Sequence, residues 1–334
     1  MPNYRPKVSV IVITYNQEHC IDRALSGVLH QRGDFELELI VANDASTDKT
    51  LACVRRWQKL YPEAVKLIDH KQNVGFQANY LSGFRAATGD YLCLCDGDDW
   101  WTDRSKLQRQ VKYMETHPDC AITFHRVINL YRPGRVKTLS NGGTATDTTI
   151  EQLSRSNYIT NLSVMYRRTL IPAGELPDWL AEVSLPDYAY HILYGSRGYI
   201  HYMKRPMGVY LQSAAGAWSL SGEEHRLRMA LDVRSRLMEH LGTENAAYEG
   251  LRNAGADIVT ALIDLARQQG DKDKERQLTE LLGRMAPEID AEALQQAISR
   301  RRRQANRARK TGLKSMIRSI YRRLTTIIPT PKPC

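Results

Sequence analysis

Val8-Ser9-Val10-Ile11-Val12-Ile13-Thr14-Tyr15-Asn16 is the stretch that decides the fold. Its β-branched, apolar run from Val8 to Thr14 stops at the polar pair Tyr15-Asn16, and Cys20, Ile21, Leu25, Val28 and Leu29 then recur at helical spacing. That is strand followed by helix. The same alternation repeats outward. Leu37–Ala42 reads as a second strand, Asn43-Asp44-Ala45-Ser46-Thr47-Asp48 as a turn, and Leu51, Val54, Trp57 and Leu60 as a helix face. Val65–Asp69 is a third strand, followed by a turn at Asn73-Val74-Gly75 and a helix through Ala78, Leu81, Phe84 and Ala87 that stops at Gly89. Tyr91–Cys95 is the fourth, and it runs into Asp96-Gly97-Asp98-Asp99. Strands alternating with helices predict an α/β fold with a mostly parallel, helix-covered sheet. In such sheets ligands bind beyond the carboxyl ends of the strands. Tyr15-Asn16, Asp44–Asp48 and Asp96–Asp99 all fall at such ends, so three loops from separate parts of the chain are expected to meet at one edge.

Further along, Leu107, Val111 and Met114 mark a helix, and Ala121–Phe124 and Leu162–Tyr166 read as short strands around a Gly- and Thr-rich loop at Asn141–Thr149. A helix from Pro186 precedes an expected strand pair, Tyr199–Met203 and Gly208–Gln212. From Ser221 the pattern is helical and opens on a capping box, Ser221-Gly222-Glu223-Glu224. The expected divisions are 1–219, with a nucleotide-binding half at 1–100 and an acceptor half at 101–219, then a helical extension at 220–299 and a basic tail at 300–334.

Lys and Arg number 47 against 37 Asp and Glu, a net charge of +10. Twelve of the basic residues and no acid lie between Arg300 and Cys334, so the preceding chain carries 35 basic against 37 acidic residues, or −2. A near-neutral body with a basic tail argues against nucleic acid as the partner. In the tail Leu313, Met316, Ile317, Ile320, Tyr321 and Leu324 recur in steps of three and four, with Lys314, Arg318, Arg322 and Arg323 between them. A helix of this kind suits the surface of an anionic bilayer, so an anionic membrane contact is expected through residues 300–328. The alternative is packing on the body or on a partner chain. No apolar run reaches the length of a membrane span, and the start of the chain lacks the features of a signal peptide. The six cysteines have neither zinc spacing nor the density of a disulfide framework, which points to a reducing, cytoplasmic setting. Cys93 and Cys95 share one face of their strand and read as core.

Asp96-Gly97-Asp98-Asp99 sets three carboxylates on a tight turn at a strand mouth, with Gly97 permitting an unusual backbone angle. Like charges so close are tolerated where a divalent cation neutralises them, and hard oxygen ligands suit Mg²⁺ or Mn²⁺.

Together, Val8–Asn16, Asn43–Asp48, Asn73-Val74-Gly75 with Asn79, and Asp96–Trp101 resemble the inverting family 2 glycosyltransferases of the GT-A nucleotide-diphospho-sugar-binding fold. The resemblance is tight over the first hundred residues and looser to about residue 219. It implies that Thr14, Tyr15 and Asn16 line the base and ribose pocket. It also implies that Asp44 accepts from the base imide, which suits uridine and hence a UDP-sugar donor, and that Asn79 belongs to the same site. Asp96 and Gly97 would border the ribose, Asp98 would hold the Mn²⁺ or Mg²⁺, and Asp99, Trp100 and Trp101 would lie next to the donor sugar. Asp187, opening a helix at Leu185-Pro186-Asp187-Tyr188, is the expected catalytic base, with Glu182 the next candidate. The acceptor implied is a glycan or a lipid-linked glycan in bacterial surface polysaccharide assembly, at the inner face of the plasma membrane. Relatives carry a His near the metal where this chain has Ser213, so His201, His225 or a water would have to complete the site. Two other readings compete. A sugar nucleotidyltransferase would need a Gly-rich loop after the first strand, and Thr14-Tyr15-Asn16-Gln17-Glu18 has no glycine. A non-catalytic, basic-tailed scaffold rests only on the missing His.

Overall fold

The computed structural model describes residues 4–131, 135–140, 145–212 and 222–304. Ser213, Ser221 and the amphipathic run from Leu313 lie outside the described residues. The first half alternates as expected: β1 (Lys7–Thr14), α1 (Ile21–Leu29), β2 (Glu36–Asn43), α2 (Thr50–Leu60), β3 (Val65–Asp69), α3 (Phe76–Ala86) and β4 (Tyr91–Asp96). There follow β5 (Trp100–Trp101), α4 (Lys106–Thr116), β6 (Cys120–Tyr131), β7 (Arg135–Leu139), β8 (Asp147–Thr148), α5 (Ile150–Arg155), β9 (Met165–Arg167), α6 (Pro186–Gly195) and β10 (Tyr199–Gln212). The strands form one sheet in the order β3-β2-β1-β4-β9-β6-β10-β5, with β7 on β6 and β8 on β10. The first four are mutually parallel, and β10 runs parallel to β6. The antiparallel β9 joins the two groups by pairing with both β4 and β6.

Period-two alternation sends side chains of each central strand into two different cores. Ile11, Ile40, Leu92 and Leu94 face one side, where α3 and α6 contribute Tyr80, Phe84, Tyr190 and Tyr194. Val10, Val12, Leu39, Val41, Cys93 and Cys95 face the other, against Leu25 of α1, Val54 of α2 and Leu107 and Met114 of α4. Both cysteines are fully buried thiols, as their position on the strand predicts. The expected pair Tyr199–Met203 and Gly208–Gln212 is instead a single strand, β10. Its register against β6 shifts at Met203/Pro206 and Pro206/Gly208, and these irregularities accommodate the proline that reads in sequence as a break.

Two compact units divide at Gly255/Ala256. That is later than the boundary expected after 219, because α7 (Glu223–Leu241) places Val233 and Leu237 in the first core, joined there by Ala247 and Leu251 of the following residues. The helix α8 (Tyr248–Gln269) carries the division. In the second unit, α9 (Lys272–Met285) buries Leu278 and Leu282, and a helix over 291–304 buries Leu294 and Ile298. Arg302, part of the basic run, closes a 2.6 Å ion pair with the buried Asp264. At least one of the twelve basic residues therefore serves this unit's interior.

Candidate active site

The loops beyond β1, β2 and β3 are tied to one another in sequence. Asn16 takes a left-handed backbone at φ 51°, which asparagine tolerates better than most residues. From there its Oδ1 accepts the Thr47 N–H at 2.8 Å, while its own N–H donates to Ser46 Oγ at 3.0 Å. Gln17 N–H donates to Thr50 Oγ1 at 2.7 Å, and Glu18 N–H to Asp48 Oδ2 at 3.1 Å. Asp44 reaches on to the third loop, accepting Val74 N–H at 2.7 Å and Gly75 N–H at 3.1 Å. Asn79 of α3 donates to Ala42 O at 2.9 Å. Ala45, beside Asp44, is held at φ 54°, a strained position for alanine of the kind that collects at functional loops. Asn16, Asp44 and Asn79 thus build the mouth, while Thr14 is buried and donates to Gln17 Oε1. Tyr15, Val74 and Phe76 expose apolar surface on these same loops.

The carboxylate turn closes this edge. Gly97 N–H continues the ladder to Ile13 O, and Asp99 N–H folds back to Asp96 O. A side chain at Gly97 would run into Gln17 Oε1 and come within 3.0 Å of Thr14 Oγ1. Gly97 is not at positive φ, so close approach of the β1 loop, rather than an unusual angle, is what requires glycine there. Asp96 is held by Tyr80, whose hydroxyl donates to its Oδ1, and by Asn161, whose amide lies 3.3 Å from each of its oxygens. Burial and the charge of Asp98 push Asp96 above the usual carboxylate range, with Tyr80 and Asn161 opposing them. Asp99 is raised by burial and by both neighbouring carboxylates; Leu211 N–H caps its Oδ1 at 2.9 Å, and its buried Oδ2 has no hydrogen-bond partner.

Asp187 reaches the same mouth from the other half of the sheet. Pro186 opens α6 with a backbone suited to the first helical position, and α6 buries nearly every residue it has. The ring of Tyr190 stacks on Phe84 of α3 at 3.7 Å, so α6 packs alongside the helix that supplies Tyr80. Burial raises Asp187, opposed by hydrogen bonds from the N–H groups of Tyr188 and of Asp187 itself and from the Asn157 side chain. Its charge is felt at Asp96 and Tyr80. Tyr210 is raised by burial and by the charges of Asp99, Asp96, Asp98 and Asp187.

Trp101, expected beside a sugar, belongs instead to the interior. It is 4% exposed, its Nε1 donates to Leu162 O at 2.8 Å, and Lys106 Nζ lies 3.8 Å above its ring. Trp100 is partly exposed next to the carboxylate turn, under the guanidinium of Arg23 at 4.1 Å. His201 stacks on Tyr113 and lies 2.7 Å from Asp147. It sits nine residues before Tyr210 on β10, roughly 30 Å away at strand spacing, and so cannot complete the carboxylate site. Glu182 is exposed and paired with Arg236 at 3.3 Å. Sequence reasoning passed over Tyr80, Asn157, Asn161 and Tyr210, because none stands in a motif whose chemistry is visible from residue types alone. A cavity of about 260 Å³ lies elsewhere, at the far end of α6 between Leu193, Arg197 and His240.

The donor set at the mouth is all oxygen, with an orphaned buried oxygen on Asp99, and fits a hard divalent cation. Among the described residues, no three His, Cys, Asp or Glu side chains converge as a finished metal cage. A cation here would be completed by other oxygen ligands.

The family model for glycosyl transferase family 2 matches residues 9–171. Residues 9–171 belong to that family. An uncharacterized protein of Mycobacterium tuberculosis, Rv1520, is 36% identical over 225 residues, covering 66% of this chain and 62% of its own. This chain thus spans about three-fifths of that relative's length. TuaG of Bacillus subtilis, whose name links it to teichuronic acid biosynthesis, is 31% identical over 124 residues, 37% of this chain and 48% of that one. Two solved structures share the fold of this chain. Staphylococcus aureus TarS in complex with UDP aligns with a TM-score of 0.56 at 18% identity, covering 79% of this chain and 74% of that one. The Pyrobaculum calidifontis mannosyltransferase PcManGT, with GDP-Man and Mn²⁺, aligns at 0.53 and 20% identity, covering 89% and 86%. Both likenesses cover more of the chain than the family match does. Among the described residues, no helix is long and apolar enough to cross a membrane.

Proposed function

We propose that this chain transfers a sugar, with inversion, from a UDP-sugar to a glycan or lipid-linked acceptor in surface polysaccharide assembly. The observation that carries this reading is the carboxylate turn at the end of β4, with Asp96 held by Tyr80 and Asn161, beside loops that Asn16 and Asp44 tie together, and with Asp187 on a helix packed against α3. Tyr15 offers an exposed face for the base, and Asp96 borders the ribose. The TarS complex with UDP favours uridine, and the name of TuaG favours a surface polysaccharide. Asp98 would hold Mn²⁺ or Mg²⁺, which when bound supplies charge stabilisation to the departing diphosphate. Asp187 takes the proton of the acceptor hydroxyl as its oxygen forms a bond to the anomeric carbon and the bond from that carbon to the diphosphate breaks. Burial raises its pKa from the ordinary carboxylate value, which favours proton uptake, and hydrogen bonds from the N–H groups at the start of α6 oppose that rise. Inversion follows, because acceptor and leaving group occupy opposite faces of the anomeric carbon. The basic residues of 300–328 would hold the enzyme at the cytoplasmic membrane surface. A panel of UDP- and GDP-sugars, scored by nucleoside diphosphate release with Mn²⁺, tests the reading. Release from a UDP-sugar is expected, and release from none of them contradicts it.

A further inference from the structure

We propose that Tyr80 and Asn161 are positioning residues that make the site selective for ribose: by filling Asp96 Oδ1 they leave Asp96 Oδ2 as the acceptor of a ribose hydroxyl. This deepens the transferase reading and rests on its placing of the ribose at Asp96. The three side chains form a directed chain. The Asn161 amide donates to the Tyr80 hydroxyl, and that hydroxyl donates in turn to Asp96 Oδ1. The same amide lies 3.3 Å from Asp96 Oδ1 and 3.3 Å from Oδ2. Because the tyrosine oxygen is occupied as an acceptor from Asn161, its one proton is directed to the carboxylate. An ionised carboxylate has about four acceptor positions over its two oxygens. Among the described residues Oδ1 takes two donors, whereas Oδ2 takes only the amide it shares, so the open position is on Oδ2. A hydroxyl that can donate fits that position, while a phosphate oxygen would be repelled from it. Tyr80 and Asn161 are both neutral, so Asp96 keeps its charge and makes the stronger, charge-assisted type of hydrogen bond.

Both partners are anchored independently of any ligand. Tyr80 is 4% exposed in the first core, and beside it on α3 Asn79 donates to Ala42 O at 2.9 Å. Asn161 begins a short 3₁₀ turn, Asn161–Ser163. Leu162 of that turn is buried in the second core with its carbonyl taken by Trp101 Nε1 at 2.8 Å, and Ser163 O accepts from Gln110 Nε2 at 3.0 Å. Tyr80 and Asn161 thus reach Asp96 from elements 81 positions apart, and each is fixed by its own packing. Such an arrangement discriminates by what a wrong ligand leaves behind. A nucleotide without the ribose hydroxyls strands a carboxylate oxygen whose orientation is already set.

The test compares the affinities of UDP and 2′,3′-dideoxy-UDP by calorimetry in Mn²⁺. The wild type is expected to bind UDP at least about tenfold more tightly than the dideoxy analogue. Tyr80→Phe, which removes one oxygen and keeps the ring, is expected to weaken UDP about fivefold while the analogue stays within about twofold. Asn161→Ala should shift the preference in the same direction, and Asn161→Ser, which keeps a short donor, should recover part of it. If Asn161→Ala melts early, Tyr80→Phe and Asn161→Ser carry the test. Variants that lose both nucleotides alike would show a merely structural role, and variants that keep the wild-type preference would show none; either result overturns the proposal. So does a wild type that binds UDP and the analogue equally, an outcome that leaves the transferase reading standing. A wild type that binds neither overturns that reading and this proposal with it.

Discussion

The two halves of the sheet reach the same mouth by different means. On the donor side, loops after β1, β2 and β3 are locked by side chains that satisfy backbone N–H groups: Asn16 onto Thr47, Asp48 onto Glu18, and Asp44 onto Val74 and Gly75. On the acceptor side Asp187 stands on a buried helix placed by ring packing, Tyr190 on Phe84 and Tyr194 on Tyr166 at 4.6 Å. A site for a constant ligand part, the nucleoside diphosphate, can be wired in advance through the backbone. On the proposed reading the acceptor meets a single carboxylate, Asp187, whose position is set by the packing of α6.

That contrast can be broken at several points. Asp187→Asn should lower turnover roughly a hundred- to ten-thousandfold while UDP affinity stays within about twofold, measured by UDP release and calorimetry. Loss of UDP binding in that variant would mean that the halves are not separable. Trp101→Ala should cost about 3–5 kcal/mol of stability by chemical denaturation, as a buried indole does. A raised donor KM with unchanged stability would return Trp101 to the sugar site. Glu38, 2% exposed at the far end of β2, sharpens the donor side. Burial opposes its ionisation, but Lys66, Ser9 and Thr88 outweigh that and hold its pKa at about 2, against 4.5 ordinarily. Its stabilisation is complete above pH 4.5 and is lost as pH falls toward 2. The free energy of unfolding should therefore fall by about 3 kcal/mol over that window, and Glu38→Gln should remove that part of the acid dependence. Asp44→Ala, which strands two loop N–H groups, should weaken UDP binding about tenfold by calorimetry, with little effect on kcat at saturating donor.

The donor half was legible in the sequence because its chemistry is contiguous. A strand, a polar turn and a helix repeat, and Asp96–Asp99 stand together in one turn. The functions of individual side chains were less legible. Asp44 and Asn16 announce a loop site, but nothing in their spacing reveals that they bond to neighbouring loops. Trp101 follows the carboxylate turn directly, and only the β5–β10 pairing shows that its ring points inward. Tyr80 and Asn161 reach Asp96 across 16 and 65 positions of chain, separations that no local pattern encodes. Asp187 was legible through the proline-led helix start and the resemblance, and its nearness to Asp96 emerges only from the packing of α6 on α3.

The central claim is that the prewired donor half binds a uridine diphosphate with the help of a cation at Asp98. Calorimetric titration of UDP with and without Mn²⁺ tests it most directly. The account predicts saturable 1:1 binding that strengthens at least about tenfold with Mn²⁺, with that gain absent in Asp98→Asn. Binding that is absent in both conditions, or a Mn²⁺ gain that survives Asp98→Asn, would contradict it.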